Sequence, residues 1–198
     1  VLNLKKIAVT GSLASGKTTV CQILKACGGY VIYADAIVHE QLSLATVIGQ
    51  QVVSLLGTSI ITGNQIDRTK IAKIVFSNSQ KLNSLQQILH PEVRREIERE
   101  YKRVQHQPYA FFVAEVPLLY EAKMEDLFDT VIAVVTEEAI ARKRYGKDEE
   151  FDQRMACQMH EKEKAEKADF TIFNNGDLAA LKSQVIKLAE TLKEHAHE

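Results

Sequence analysis

Gly11-Ser12-Leu13-Ala14-Ser15-Gly16-Lys17-Thr18 constrains this chain more than any other stretch. It follows the short apolar run Ile7-Ala8-Val9 and opens a segment in which Val20, Ile23, Leu24 and Cys27 recur at helical spacing. Strand, glycine-bounded loop and helix are therefore expected in succession, the setting in which a G-x-x-x-x-G-K-[ST] pattern carries meaning. The N–H groups of such a loop curl around a phosphate and hand it to a helix N-terminus, whose partial positive charge favours an anion. Gly11 and Gly16 supply backbone angles and a closeness of approach that a Cβ would forbid. Lys17 is placed to reach the β- and γ-phosphates of a nucleotide, and the Thr18 hydroxyl to sit on Mg²⁺. A glycine turn with a surface lysine could share the pattern, but the flanking strand and helix argue for nucleotide binding.

The 198 residues suffice for one α/β domain with a real core and small insertions. Basic and acidic side chains nearly cancel, leaving a net charge of −1, so neither nucleic acid nor an anionic membrane is indicated as a partner. The N-terminus has no basic-then-apolar leader pattern. The longest apolar stretch, Phe111 to Tyr120, contains Glu115 and Pro117 and falls far short of a membrane span. Cys21, Cys27 and Cys157 are odd in number and lack C-x-x-C spacing, which reads as reduced thiols in a reducing compartment. A cytoplasmic protein acting on small molecules is the expectation, with a monomer favoured over a stable oligomer.

Five short β-rich runs recur between helical stretches: Lys6–Thr10, Tyr30–Ala34, Ala110–Glu115, Thr130–Val135 and Phe170–Phe173. Apolar strands that barely alternate, separated by helices, predict a parallel sheet covered on both faces. Ligands of such sheets bind beyond the C-terminal ends of the strands, so the residues just past each strand matter most. Asp35 follows the second run at the head of a helical stretch. It reads either as a helix cap or as the base that receives a hydroxyl proton in phosphoryl transfer. Residues 36–109 contain no good sheet strand and read as an inserted helical subdomain suited to a second substrate. Within it, Gly57 to Asn64 looks like a loop or small hairpin, while Ile66 to Phe76 and Ser79 to Gln107 look helical. Pro91 is expected to bend or restart the second of these helices, and His90 sits at that break. On residue type alone His90 is a structural hydrogen-bonder.

Glu115 closes the third strand, where an acid can hold a magnesium-bound water or serve the structure alone. Pro117-Leu118 follows and is placed to line a pocket. Residues 137–168, rich in Arg142, Lys143, Arg144, Lys147 and Arg154 among acids, form either a solvated charged helix pair or an arginine-bearing lid. Gly146 is its expected flexible point. Asn174-Asn175-Gly176 is a turn whose amides could read a base edge. The last helix, Leu178 to about Lys193, presents Leu181, Val185, Leu188 and Leu192 on one face, and the tail His195 to Glu198 is expected to fray. Guanine-specific switches need N-K-x-D, and none is present. A small-molecule kinase fits, with two readings kept beside it: a kinase of another acceptor, such as a nucleoside monophosphate or polyol, and a nucleotide-dependent switch without turnover.

Several separated motifs together are similar to those of the dephospho-CoA kinase family, over nearly the whole chain. Thr10 to Thr19 resembles its T-G-G-I-G-S-G-K-S-T loop, and Tyr33-Ala34-Asp35 lies where the family has D-A-D. Ile66-Asp67-Arg68 with Val75-Phe76 resembles L-D-R…V-F, Leu89-His90-Pro91 matches L-H-P, and Val116 to Glu121 resembles I-P-L-L-F-E. Arg154 and Gln158 keep the R-x-x-x-Q spacing, Glu163-Lys164 with Ala168-Asp169 the E-K…A-D, and Asn174-Asn175-Gly176 the D-N-x-G turn. Tyr33 and Phe173 stand where the family has acids. Arg144 fits the second arginine of the lid while Ile140 occupies the first register, with Arg142 nearby as a substitute after a local shift.

The resemblance implies a P-loop NTPase fold, a five-stranded parallel sheet flanked by helices. Residues 1–35, 110–136 and 169–198 would form the nucleotide-binding core, 36–109 the helical acceptor subdomain and 137–168 the lid. It implies transfer of the ATP γ-phosphoryl group to the 3′-hydroxyl of dephospho-CoA. Lys17, Asp35 and Arg144 would be catalytic. Gly11, Ser12, Leu13, Ala14, Ser15, Gly16, Lys17, Thr18, Thr19 and Asn175 would bind the nucleotide. Asp35, His90, Pro117, Leu118 and Arg154 would hold the acceptor, which reverses the structural reading of His90. Thr18, and Glu115 through water, would serve Mg²⁺.

Overall fold

The structure, a computed structural model, describes residues 4–194. The expectation for the tail His195 to Glu198 lies outside them. The chain divides into two compact units, Ala34–Glu96 and a second built from the described chain on either side of it.

The larger unit is organised by β1 (Lys6–Gly11), whose Ile7, Ala8 and Val9 are wholly buried. A strand buried on both faces belongs in the middle of a parallel sheet. β1 leads through the glycine-bounded loop into α1 (Lys17–Ala26), and β2 (Tyr30–Tyr33) follows. The chain then enters the other unit with α2 (Ala34–Gln41), α3 (Val47–Leu56), the short strands β3 (Ile61–Thr62) and β4 (Gln65–Ile66), α4 (Arg68–Phe76) and α5 (Ser79–Val104), whose last turns from Ile97 belong to the larger unit. β5 (Phe112–Glu115), β6 (Thr130–Val135), α6 (Glu138–Tyr145), α7 (Asp148–Met155), α8 (Glu161–Lys167), β7 (Phe170–Phe173) and α9 (Leu178–Glu194) complete it.

Five strands pair in the order β2-β5-β1-β6-β7, every pairing parallel. Ile7 and Val9, Val113, and Ile132 and Val134 pack with Val20 and Leu24 of α1 and with Leu181, Val185 and Leu192 of α9 in one apolar core. Each such side chain contributes about 1.5–3 kcal/mol when fully buried. The alternating Ala8, Ala114 and Ala133 face the other side of the sheet, and α8 lies against β1 and β6. The unit Ala34–Glu96 has a core of its own, built on Ile48, Val52, Leu56, Ile60, Ile71 and Leu89. Among the described residues no helix is long and apolar enough to cross a membrane.

The sheet strands lie where the periodicity put them, and four local expectations are corrected. Ile66 does not begin a helix: it pairs with Ile61 in the antiparallel hairpin, and Asp67 caps α4 by accepting from the Thr69 and Lys70 N–H groups at 2.9 and 3.3 Å. Pro91 does not restart α5, which runs unbroken from Ser79 to Val104. A mid-helix proline costs about 3 kcal/mol, which the buried stripe Leu85, Leu89, Val93 and Ile97 offsets. Residues 137–168 hold three short helices, not a pair, because Gly146 ends α6 in the left-handed region (φ 74°) and His160 starts α8 as its cap. α2 starts at Ala34, so Asp35 stands inside its first turn and not at the cap.

Candidate active site

The loop after β1 leaves the sheet between its neighbours β5 and β6. Gly11 has φ +146° and a Cβ there would sit 2.2 Å from the Val134 carbonyl oxygen, so the close packing of β1 on β6 requires glycine. The chain turns through Ala14 at φ +57° and Gly16 at φ +97°, and α1 then begins at Lys17. Gly16 is held from behind: a Cβ would lie 2.2 Å from Asn174 Nδ2. Asn174 Nδ2 donates to the Ser15 carbonyl at 2.7 Å, and Thr136 Oγ1 lies 3.0 Å from the same oxygen. Ser12 and Ser15 are buried, Leu13, Ala14 and Thr19 half-buried.

The structure brings together the side chains expected at the mouth of this loop. Lys17 Nζ donates to the Ser12 carbonyl at 2.7 Å, folding the amino group over the loop it follows. Thr18 Oγ1 donates to Glu115 Oε1 at 3.2 Å. Glu115 is 8 % exposed, in register with Val9 on one side and Tyr33 on the other. Tyr33 packs against the core, and burial, helped by Cys21 and Glu115, pushes its phenol up. Pro117 and Leu118 are half-buried just beyond β5. The Pro117 carbonyl accepts from Thr10 Oγ1 at 3.2 Å and from Lys164 Nζ at 2.8 Å.

The arginines of residues 137–168 separate by what they touch. Arg142 is tied locally, to Glu138 at 2.9 Å, to Asp152 at 2.6 Å and over the Phe151 ring at 4.7 Å. Arg144 is exposed and turns the other way, with Nη1 3.4 Å from Thr136 Oγ1, one hydrogen bond away from Ser15. Arg154 pairs with Glu150 at 2.8 Å. Its Nε and the Gln158 Oε1 are buried without hydrogen-bond partners among the described residues. Asn175 caps the start of this region: its Oδ1 accepts from the Glu137 N–H at 2.8 Å and its Nδ2 donates to Glu137 Oε1 at 3.1 Å. Glu161, at the start of α8, is half-buried near the Thr136 amide, and desolvation pushes its carboxyl up.

Two expected site residues lie in the unit Ala34–Glu96. Asp35 is exposed, two residues past the end of β2. His90 is half-buried in α5, and burial holds its imidazole below the ordinary histidine range.

Of three further residues that shape the site, Thr136 escaped the sequence reading, while Asn174 and Lys164 entered it only as parts of motifs. Thr136 directly follows β6, a position past a strand end that merited inspection. Asn174 belongs to the turn whose amides could read a base edge, yet its own side chain is buried and turned inward onto Ser15. Lys164, hidden in a run of charges, is wholly buried, 3.0 Å from Glu121 Oε1. That pair gives the E-K segment and the glutamate after Tyr120 a shared physical reason.

A parallel sheet with a phosphate-cradling loop on its central strand, an acid at the neighbouring strand end and a polar arginine near the loop define a P-loop phosphotransferase. The family profile CoaE, dephospho-CoA kinase, matches residues 5–180. A dephospho-CoA kinase of Protochlamydia amoebophila is 44 % identical over 98 % of both chains, and one of Chlamydia trachomatis 42 % identical over 98 % of both. A solved structure, dephospho-CoA kinase from Campylobacter jejuni, superposes with a TM-score of 0.72 at 28 % identity, covering 96 % of this chain and 98 % of that one. The chain belongs to the dephospho-CoA kinase family, and it is an ATP-dependent kinase.

Proposed function

We propose that this chain transfers the γ-phosphoryl group of ATP to the 3′-hydroxyl of dephospho-CoA, giving CoA and ADP in the last step of coenzyme A synthesis. The near-full-length likeness to proteins of that name carries the choice of acceptor. The loop geometry supports the choice of donor: Ser15 Oγ is buried and without a hydrogen-bond partner among the described residues, a donor left over for a phosphate.

Each residue then has a task. N–H groups from Gly11 to Thr19 cradle the phosphates, and Lys17 balances charge on the bridging and γ oxygens. Asp35 orients the 3′-hydroxyl and takes its proton late, because the transition state is largely dissociative. Arg144 leaves Thr136 to neutralise charge on the transferring group, and residues 137–168 close as a lid that excludes water. His90, Pro117, Leu118 and Arg154 position the acceptor, with residues 36–109 as its subdomain, and Asn175 borders the nucleotide. Thr18 and Glu115 present a pair of oxygens 3.2 Å apart, a donor set that suits Mg²⁺. Thr18 would hold the ion and Glu115 a water on it, and the ion would supply charge neutralisation across the β- and γ-phosphates. The enzyme works as a cytoplasmic monomer on small molecules, with neither nucleic acid nor membrane as a partner.

A coupled assay of ADP release across dephospho-CoA, nucleoside monophosphates and polyols tests this. A clear preference for dephospho-CoA is expected, and equal or greater turnover of another acceptor overturns it.

A further inference from the structure

Two buried side chains converge on one backbone atom. Asn174 Nδ2 and Thr136 Oγ1 lie 2.7 and 3.0 Å from the Ser15 carbonyl oxygen, and the two residues are 6 % and 0 % exposed. Thr136 Oγ1 also lies 3.2 Å from the Asn174 carbonyl and 3.4 Å from Arg144 Nη1. A hydroxyl has one proton to give and lone pairs to accept with. Arg144 donates to the oxygen, and the single Thr136 proton serves one of the two carbonyls, while Asn174 secures Ser15 in either case.

The peptide plane makes this contact directional. In a trans peptide the C=O and the following N–H point in opposite directions, and the chain has no cis bond among its described residues. A Ser15 carbonyl drawn toward Thr136 and Asn174, at the ends of β6 and β7, therefore turns the Gly16 N–H away from those two strand ends. Gly16 holds this orientation at φ +97° and ψ 20°, which a side chain could not adopt against Asn174.

We infer that Thr136 and Asn174 are positioning residues for the nucleotide: by gripping the Ser15 carbonyl they aim the Gly16 N–H at a phosphate oxygen before ATP arrives. The inference rests on the proposed nucleotide-binding role of the loop. An amide already aimed at its ligand spares the ordering cost otherwise met on binding. Neither side chain touches the phosphate, so their loss should weaken nucleotide and leave the acceptor site alone.

The test compares Thr136→Val, Thr136→Ser, Asn174→Asp and Asn174→Ser. ATP affinity is measured by calorimetry without acceptor, and KM is measured separately for ATP and for dephospho-CoA. Thr136→Val and Asn174→Asp should each weaken ATP about tenfold, equivalent to about 1.4 kcal/mol, with KM for dephospho-CoA little changed. Thr136→Ser, which keeps the hydroxyl, should bind ATP as the parent does. ATP affinity unchanged in both substituted proteins, or equal losses for ATP and dephospho-CoA, overturns the inference. Should Thr136→Val fail to fold, Asn174→Ser, which removes only the stronger grip, gives the same comparison. Parent protein that binds ATP but does not turn over dephospho-CoA would remove the proposed acceptor and leave the calorimetric comparison intact.

Discussion

Lys164→Met should destabilise this protein severely, although the sequence offers Lys164 only as part of an E-K motif and gives no sign that it is buried. None of its surface is exposed, and its Nζ lies 3.0 Å from Glu121 Oε1 and 2.8 Å from the Pro117 carbonyl. Methionine matches the length of the stem and removes the ammonium. The Pro117 carbonyl keeps Thr10 Oγ1 at 3.2 Å, but Glu121, with 16 % of its side chain exposed, keeps only the Met159 N–H at 2.7 Å. Removing one partner of a buried pair costs about 3–5 kcal/mol, because the other charge stays behind uncompensated. For a chain of 198 residues each kcal/mol moves the midpoint by about 2–4 °C, so a fall of about 6–20 °C is expected. Thermal and denaturant unfolding of Lys164→Met, Glu121→Leu and the double variant measure this. The double variant should lose far less than the sum of the singles, since it strands no charge and leaves only the Met159 N–H short of a partner. A Lys164→Met midpoint within about 2 °C of the parent, or strictly additive losses, would refute the reasoning.

Gly16→Ala forces a side chain into the left-handed region, at about 1–2 kcal/mol, and onto Asn174 Nδ2 at 2.2 Å. Calorimetry should find ATP binding weakened at least about tenfold, and near-parental affinity would show that the loop rebuilds itself. Asp35→Asn should leave ATP binding nearly intact and lower kcat by about 10²-fold or more; normal turnover with dephospho-CoA would remove the base assignment. His90 has its pKa lowered by burial, so the unfolded chain takes up that proton first as pH falls below about 6.5. The stability His90 confers is present above that pH and is lost as pH falls through the folded value. His90→Gln should therefore lose less stability than the parent between neutral and mildly acidic pH in denaturant titrations, and parallel losses would count against the assignment.

Much of the fold could be read from local pattern. Val9 before Gly11 and Val20 after Lys17 set strand, loop and helix, and the apolar runs at Phe112–Glu115 and Thr130–Val135 set two more strands, because a strand buried on both faces must be apolar almost throughout. Where local signals competed, pattern misled. Pro91 argued for a break that the buried stripe of α5 overrides, and Ile66 carried helical spacing although its partner Ile61 draws it into a hairpin. The phosphate loop, Asp35 and Glu115 were visible as candidates because the chemistry of each is written into residue type and place along the chain.

The sequence by itself determined that a loop of this kind exists, which strand carries it and which acids follow the strand ends, since those are matters of neighbours along the chain. Only the tertiary structure decided the strand order that sets Glu115 against Thr18, the grip of Thr136 and Asn174 on Ser15, and the burial of Lys164 on Glu121 and Pro117. Those contacts join residues up to 159 positions apart. A hydrogen bond leaves no periodicity in the chain: it depends on where two distant segments come to rest, and packing alone sets that.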